Sequence, residues 1–327
     1  MIAVIGGAGY IGSHTVKYLI EQGEQVAVFD NLSNGHREMV HSDAAFFQGD
    51  LVNADDLTTF FAQYEVDSVI HFAAFAYVGE SVEQPAKYYR NNISNTVNLL
   101  DAMLAYGIDK IVFSSTCATY GNPVELPITE QHPQQPINPY GRTKWMMEQM
   151  LEDYAAAYGW HTVALRYFNA AGADPDGQIG EWHDPETHLI PLVLETAWGK
   201  RDRIAVFGHD FDTKDGTCVR DYIHVIDLAD AHYRALNYVR IHGGNFHLNL
   251  ANGEGYSNLQ IIQTAERITG RKINYLLTDR RAGDPAMLIG SAAQAEQLLG
   301  WKPVYALDAI IETAWNWHTK NWGNAHE

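Results

Sequence analysis

Apolar runs alternate with helically spaced apolar positions through the first half of the chain. Ile2-Ala3-Val4-Ile5 is wholly apolar, and from Ser13 the positions Val16, Leu19 and Ile20 recur on one helix face. Further runs lie at Gln25 to Phe29, Ala45 to Gln48, Ser68 to His71, Lys110 to Ser114 and Thr162 to Tyr167. Short unbroken runs separated by helical stretches predict strands of a parallel sheet covered on both faces. Beyond Asn169 the texture changes. Ala170 to Glu186 is rich in Gly, Asp and Pro and reads as a long irregular loop, a kind that usually serves function. Helices are predicted at His188 to Trp198, within Val219 to Tyr238, and at the end, where Leu307, Ile310, Ile311, Ala314, Trp315 and His318 share a face. The predicted class is α/β, a Rossmann-type doubly wound parallel sheet with a smaller C-terminal α/β lobe. The predicted division is residues 1–168 and 169–327, with a return to the first domain near 219–238.

The turn after the first run adds chemistry. Gly6, Gly9 and Gly12 stand at the spacing G-x-x-G-x-x-G between a predicted strand and a predicted helix. Glycines there allow a sharp turn, close approach of backbone to a pyrophosphate, and tight packing of helix on strand. The helix N-terminus offers free N–H groups to the phosphates. The second run ends in Asp30, about 20 residues on, where a carboxylate can accept from ribose hydroxyls and repel a 2′-phosphate. That combination predicts an NAD-binding domain rather than one for NADP. Asp50, Ala73, Thr116 and Asn169 fall at or just after later strand ends, where ligands of such sheets bind.

Composition narrows the partners. A chain of 327 residues with 46% hydrophobic and 19% charged residues is ordinary for a globular protein. A formal net charge of −18 argues against nonspecific nucleic-acid binding. Cys117 and Cys218 do not suggest a disulfide framework. No run approaches the roughly 18–20 apolar residues of a membrane span, and a first strand at residue 2 leaves no room for a leader. A cytoplasmic protein is expected.

Pro139 can open a helix, which places Tyr140 and Lys144 at i and i+4 on one face. A phenol of pKa about 10 needs neighbouring positive charge to act as a base at neutral pH. Lys144, the helix N-terminus and a cationic nicotinamide would each favour the phenolate. The Ser114-Ser115-Thr116 strand end adds hydroxyls that can bridge substrate and tyrosine. Metal sites are not expected. His183 and His188, with Pro185 between them, lack ligand spacing, and Asp210-x-Asp212 runs on to Lys214 and Asp215 where a calcium loop needs a ligand and a glycine. Nothing beside Cys117 resembles an activator of a thiolate, so it reads as packing.

These motifs resemble the extended short-chain dehydrogenase/reductases, and within them the epimerases of UDP-hexoses, over nearly the whole chain. The marks are GGAGYIGSH (6–14), DNLSNGH (30–36), GDL (49–51), GESV (79–82), YYRNN (88–92), FSSTCATYG (113–121) and PYGRTK (139–144). RYFNAAGA (166–173), GTCVRDYIHV (216–225) and RRAGDPA (280–286) follow in the second lobe. The resemblance implies that Thr116, Tyr140 and Lys144 are catalytic. It implies NAD contacts from Gly6, Gly9, Tyr10, Ile11, Gly12, Asp30, Asn31, Asp50, Leu51, Phe72, Ala73, Asn91, Lys144 and Tyr167. UDP-hexose would meet Thr116, Tyr140, Asn169, His188, Leu189, Ala205, Phe207, Arg220, Arg281 and Asp284. The implied reaction interconverts UDP-glucose and UDP-galactose, by oxidation at C4 and return of hydride to the other face, with NAD retained. A homodimer is implied through helices near 92–105 and 145–158, where Met146, Met147 and Met150 look exposed. Ala76 stands where some members carry a cofactor-binding lysine. Met287 stands where others carry tyrosine or a small residue, which suggests some tolerance of N-acetylated sugars. Related 4,6-dehydratases carry Asp-Glu after the strand-end threonine, and here Cys117-Ala118 follows it. A reductase with exchangeable cofactor, or a sugar-nucleotide sensor, stays open.

Overall fold

The computed structural model describes residues 1–281 and 284–324; Ala282 and Gly283 of the RRAGDPA motif, and residues 325–327, lie outside it. In chain order the first lobe holds β1 (Ile2–Ile5), α1 (Tyr10–Glu21), β2 (Val26–Asp30), β3 (Ala45–Gln48), α2 (Ala54–Gln63) and β4 (Ser68–His71). It continues with α3 (Val78–Glu83), α4 (Pro85–Tyr88), α5 (Asn95–Ala105), β5 (Lys110–Thr116), α6 (Pro139–Tyr158) and β6 (His161–Tyr167). The chain then passes through β7 (Asn169–Ala171), α7 (Leu189–Trp198), β8 (Ile204–Phe207), β9 (Val219–His224), α8 (Val225–His242) and β10 (Asn245–Leu250). It ends with β11 (Gly255–Ser257), α9 (Asn258–Thr269), β12 (Tyr275–Thr278), β13 (Met287–Leu288), α10 (Ala293–Leu299) and α11 (Leu307–Asn324).

Seven strands form one parallel sheet in the order β10-β6-β5-β4-β1-β2-β3. Because side chains alternate along a strand, β1 feeds two cores. Ile2 and Val4 pack with Val16 and Leu19 of α1 and with Leu228, Leu236 and Val239 of α8. Ala3 and Ile5 pack on the other face with Phe60 of α2, Leu100 of α5 and Met147 of α6. The central strands carry apolar residues on both faces because both faces are covered.

The second lobe is smaller. β9 pairs with β7 and β13 in parallel and with β11 antiparallel, and β8 pairs with β12. Its core joins Ile190, Val193 and Leu194 of α7, Ile261 and Ile262 of α9, and Ile310 and Ile311 of α11. The return to the first lobe runs through α8 and β10, later than the 219–238 expected, because 219–224 is a strand of the second sheet. Of the three methionines expected to be exposed on α6, Met147 is fully buried in the core and Met150 packs partly buried against it, whereas Met146 stands exposed.

Candidate active site

The glycine turn and the strand ends beside it form one cradle. Gly6 has φ +81°, and a Cβ there would come within 2.6 Å of the Ala73 amide nitrogen. At Gly12 a Cβ would lie 2.2 Å from the Gly6 carbonyl oxygen. The first places β1 against the end of β4, and the second draws α1 onto the turn. The Phe72 and Ala73 amides both donate to the Ile5 carbonyl, at 2.8 and 3.1 Å. At the tip of β2, Asp30 accepts from Ala8 N at 2.9 Å through one oxygen and from Leu32 N at 2.8 Å through the other. Burial pushes this carboxyl up and the two N–H groups pull it back. Each oxygen keeps lone pairs for a diol, the chemistry a ribose requires. Asn31 donates to Asp50 at 3.0 Å, so these two expected contacts stand side by side.

Other expected contacts have different neighbours. The Tyr10 hydroxyl donates to the Gly172 carbonyl at 2.6 Å, bracing the two lobes. Ile11 packs partly buried against the first core, Leu51 lies in the second, and the Phe72 ring meets that of His232 at a tilt, with centroids 4.7 Å apart. Tyr167 hydrogen-bonds Ser114 through its hydroxyl. Asn91 donates to Asn92 at 3.0 Å. Asn92, which the motif reading did not assign, holds both backbone groups of Phe75, at 2.9 and 3.1 Å, and donates to Thr143 at 3.1 Å.

Thr116 ends β5 and caps the turn after it, accepting from Ala118 N at 3.2 Å. Asn138 caps α6 by accepting from Gly141 N at 2.8 Å, with Pro139 in the first turn. Tyr140 and Lys144 therefore lie one turn apart on the helix face toward β5. Lys144 Nζ donates to the Ser114 carbonyl at 2.8 Å and sits 4.8 Å from the Phe113 ring centre. It is 2% exposed, and burial lowers its pKa to about 7, with only the Glu148 carboxylate pulling it back. With one acceptor among the described residues, the ammonium keeps donors for further hydroxyls. Burial pushes Tyr140 up to about 12, against a hydrogen bond with Thr116 that favours the phenolate. His71, in contact with this pocket, is held neutral, its pKa lowered to about 3 by burial and by Lys144. Burial likewise pushes Cys117 up to about 12. Such a thiol packs rather than reacts.

Behind β5 lies a buried network that no motif announced. Glu148 of α6 accepts from Arg166 Nη2 at 2.6 Å and Nε at 3.0 Å, from Gln134 at 3.0 Å, and from Ser115. Arg166 Nη1 donates to the Tyr120 hydroxyl at 3.0 Å, which donates to Asn249 at 2.7 Å. The network ties α6, β5, β6 and β10 together.

In the second lobe, Asn169 Nδ2 donates to the Asp221 carbonyl at 2.8 Å, and β7 runs beside β9, which carries Arg220. Arg220 is fixed by the Val219 and Pro285 carbonyls, at 2.9 and 3.0 Å, with Asp284 at 3.6 Å. Arg281 lies over the Phe207 ring at 3.8 Å, at the end of β8, where Ala205 is exposed. Two guanidiniums on one lobe suit diphosphate oxygens. Met287 pairs in register with Val219 beside Arg220. His188 caps α7 ahead of Leu189, and its ring is drawn to Glu181 and Glu186. The loop before α7 brings Glu181, His183, Glu186 and His188 together, with one donor atom of each within 4.8 Å of the others.

A tyrosine and a buried ammonium one turn apart, behind a dinucleotide cradle and facing an arginine-bearing lobe, define an enzyme class that oxidises an alcohol on a nucleotide-linked substrate. The chain belongs to the NAD dependent epimerase/dehydratase family, whose family model matches residues 2–251. It is 53% identical over 321 residues, 98% of this chain and 96% of the other, to the UDP-glucose 4-epimerase of Halalkalibacterium halodurans. Among solved structures it superposes on UDP-glucose 4-epimerase from Brucella ovis in complex with NAD with a TM-score of 0.94, at 53% identity over 96% of this chain and 97% of that one. The UDP-Glc/GlcNAc 4-epimerase of Campylobacter jejuni gives 0.86 at 40% identity, over 98% and 99% of the two chains.

Proposed function

We propose that the protein interconverts UDP-glucose and UDP-galactose by epimerisation at C4, with NAD as a resident cofactor. The observation that carries this is the Thr116–Tyr140–Lys144 arrangement followed by Cys117-Ala118, which offers a base for an alcohol and no carboxylate pair for elimination. NAD supplies a hydride acceptor that gives the hydride back. Tyr140 takes the proton of the C4 hydroxyl, and Thr116 hydrogen-bonds the same oxygen and the phenol. Lys144 would offer its free donors to the ribose hydroxyls of a bound NAD and stabilise the phenolate. Its pKa near 7 keeps much of it charged at neutral pH. The cradle would hold NAD through Gly6, Gly9, Gly12, Asp30, Asn31 and Ala73. Arg220 and Arg281 grip the diphosphate, which leaves the sugar free to turn between loss and return of hydride. Arg220 is set in place by two carbonyls before any ligand arrives, so little is lost in ordering it.

The test is incubation of the purified protein with UDP-galactose, with no NAD added, and assay of UDP-glucose. Conversion is expected. None, even after NAD is supplied, would overturn the reading, and steady consumption of free NADH would point to a reductase. Met287 beside Arg220 favours a second activity on UDP-N-acetylhexosamines, since a flexible thioether leaves more room than tyrosine. UDP-N-acetylglucosamine at saturating concentration should turn over measurably.

The active unit is a homodimer formed through α5 and α6, where Leu104, Met146 and Tyr158 are exposed. Two cysteines standing free suit a reducing cytoplasm. Among the described residues no helix is long and apolar enough to cross a membrane.

A further inference from the structure

The loop before α7 gathers four side chains of metal-binding type. Glu181 Oε1 lies 3.2 Å from His183 Nδ1 and 2.8 Å from His188 Nδ1. Glu186 completes the ring, with its two oxygens 3.0 Å from His188 Nδ1 and 3.6 Å from His183 Nδ1. One donor atom from each of the four lies within 4.8 Å of the rest. Four ligands bound tetrahedrally at about 2.0–2.2 Å stand about 3.3–3.5 Å apart, and the four separations bracket that edge.

Without an ion, the Glu181 and Glu186 carboxylates hold both imidazoles protonated, so a cation binding here would displace their protons. The two carboxylates are removed from water, with side chains 5% and 9% exposed, and they face one another across the imidazoles. Burying a pair of like charges needs compensating charge at close range. His183 Nδ1 is buried and makes no hydrogen bond, although carboxylate oxygens stand 3.2 and 3.6 Å away. A ring nitrogen so placed, once deprotonated, has its lone pair within reach of a cation set between those oxygens. Aromatic walls surround the group. Tyr10 and Tyr77 each meet the His183 ring edge-on with centroids 6.2 Å apart, and Trp317 Nε1 donates to the Glu181 carbonyl at 3.3 Å.

We infer that Glu181, His183, Glu186 and His188 form a structural site for one divalent cation of the zinc class. On binding, each imidazole gives up its proton to solvent, so two neutral imidazoles and two carboxylates make a neutral complex with such an ion, and imidazole selects it over magnesium or calcium. With all four ligands supplied by the chain, the site is closed and takes no substrate. Its place explains its use. The ligands span the loop from Glu181 to the residue that caps α7, and Tyr10 on their border opens α1 directly after the glycine turn. A bound ion would fix the loop where the nucleotide cradle meets the second lobe.

The test uses the full chain, stripped of metal by dialysis against a chelating resin and titrated with zinc chloride in competition with a chromogenic chelator. One zinc per chain is expected. His183→Ala should weaken binding by at least about 100-fold and abolish the rise in Tm that zinc gives the wild type. Should that variant fail to fold, Glu186→Gln serves as the second, read the same way. Zinc-edge X-ray absorption should show four nitrogen or oxygen neighbours at about 2.0–2.2 Å. No stoichiometric binding to the wild type would overturn the inference. Equal binding by wild type and variants would also overturn it, since the zinc would then be adventitious.

Discussion

Lys144 is held against its own titration preference. An ammonium 2% exposed, with one carbonyl and one ring face for company, is destabilised relative to the unfolded chain. The unfolded lysine titrates near 10.5 and the folded one at about 7, so between these values the unfolded state binds the extra proton and stability rises with pH. Lys144→Met should therefore stabilise the nucleotide-free protein by about 2 kcal/mol at pH 7 and below, after allowing for the stranded Ser114 carbonyl, and the gain should fade toward pH 10. Thermal unfolding at pH 6.5 and 9.5 would show it. The same variant should lose about 10²–10⁴-fold in kcat, because the phenolate then lacks its cation. A residue that costs stability and supplies chemistry is the signature of a functional site, and the pairing of Tyr140 with Lys144 was legible from spacing alone. The Glu181 cluster was not. Its four side chains come together through turns that residue spacing does not encode.

At the scale of elements, α6 decides whether the site is assembled. Its N-cap bond from Gly141 N to Asn138 fixes the first turn that carries Tyr140. Asn138→Ala should cost about 1 kcal/mol, read from chemical denaturation, and lower kcat with little change in KM, whereas Asn138→Asp should restore both. The strands of the first sheet could be read directly, because β1, β2 and β4 are buried on both faces and carry apolar residues on both, with polar residues confined to the strand ends. The second lobe hides its strands. β12 is mostly exposed, β8 exposes Ala205, and β13 has two residues, so none offers a run long enough to stand out. β10 was missed for another reason. Asn245-Phe246-His247-Leu248-Asn249-Leu250 alternates polar with apolar residues, as an edge strand does, and its polar members serve the Thr162 and Tyr120 contacts.

For the whole molecule, the proposed dimer face gives a direct test. Met146 is 39% exposed on α6 while its neighbour Met147 is sealed in the core, so Met146→Glu should leave the fold intact and break the pair. Light scattering should then report half the mass of the wild type, with Tm within a few degrees. An unchanged mass would remove α6 from the interface. The lobes are interleaved along the chain, since α8 and β10 rejoin the first sheet after β7, α7, β8 and β9 have built part of the second. This order of elements bears on how the protein is made. A ribosome releases β6 well before β10, so while residues 168–244 emerge the growing sheet has an open edge at β6. The apolar face that Leu228, Leu236 and Val239 will cover stays wet over the same interval. The nascent chain is then most exposed to wrong partners, and a trigger-type chaperone at the exit tunnel has most to shield.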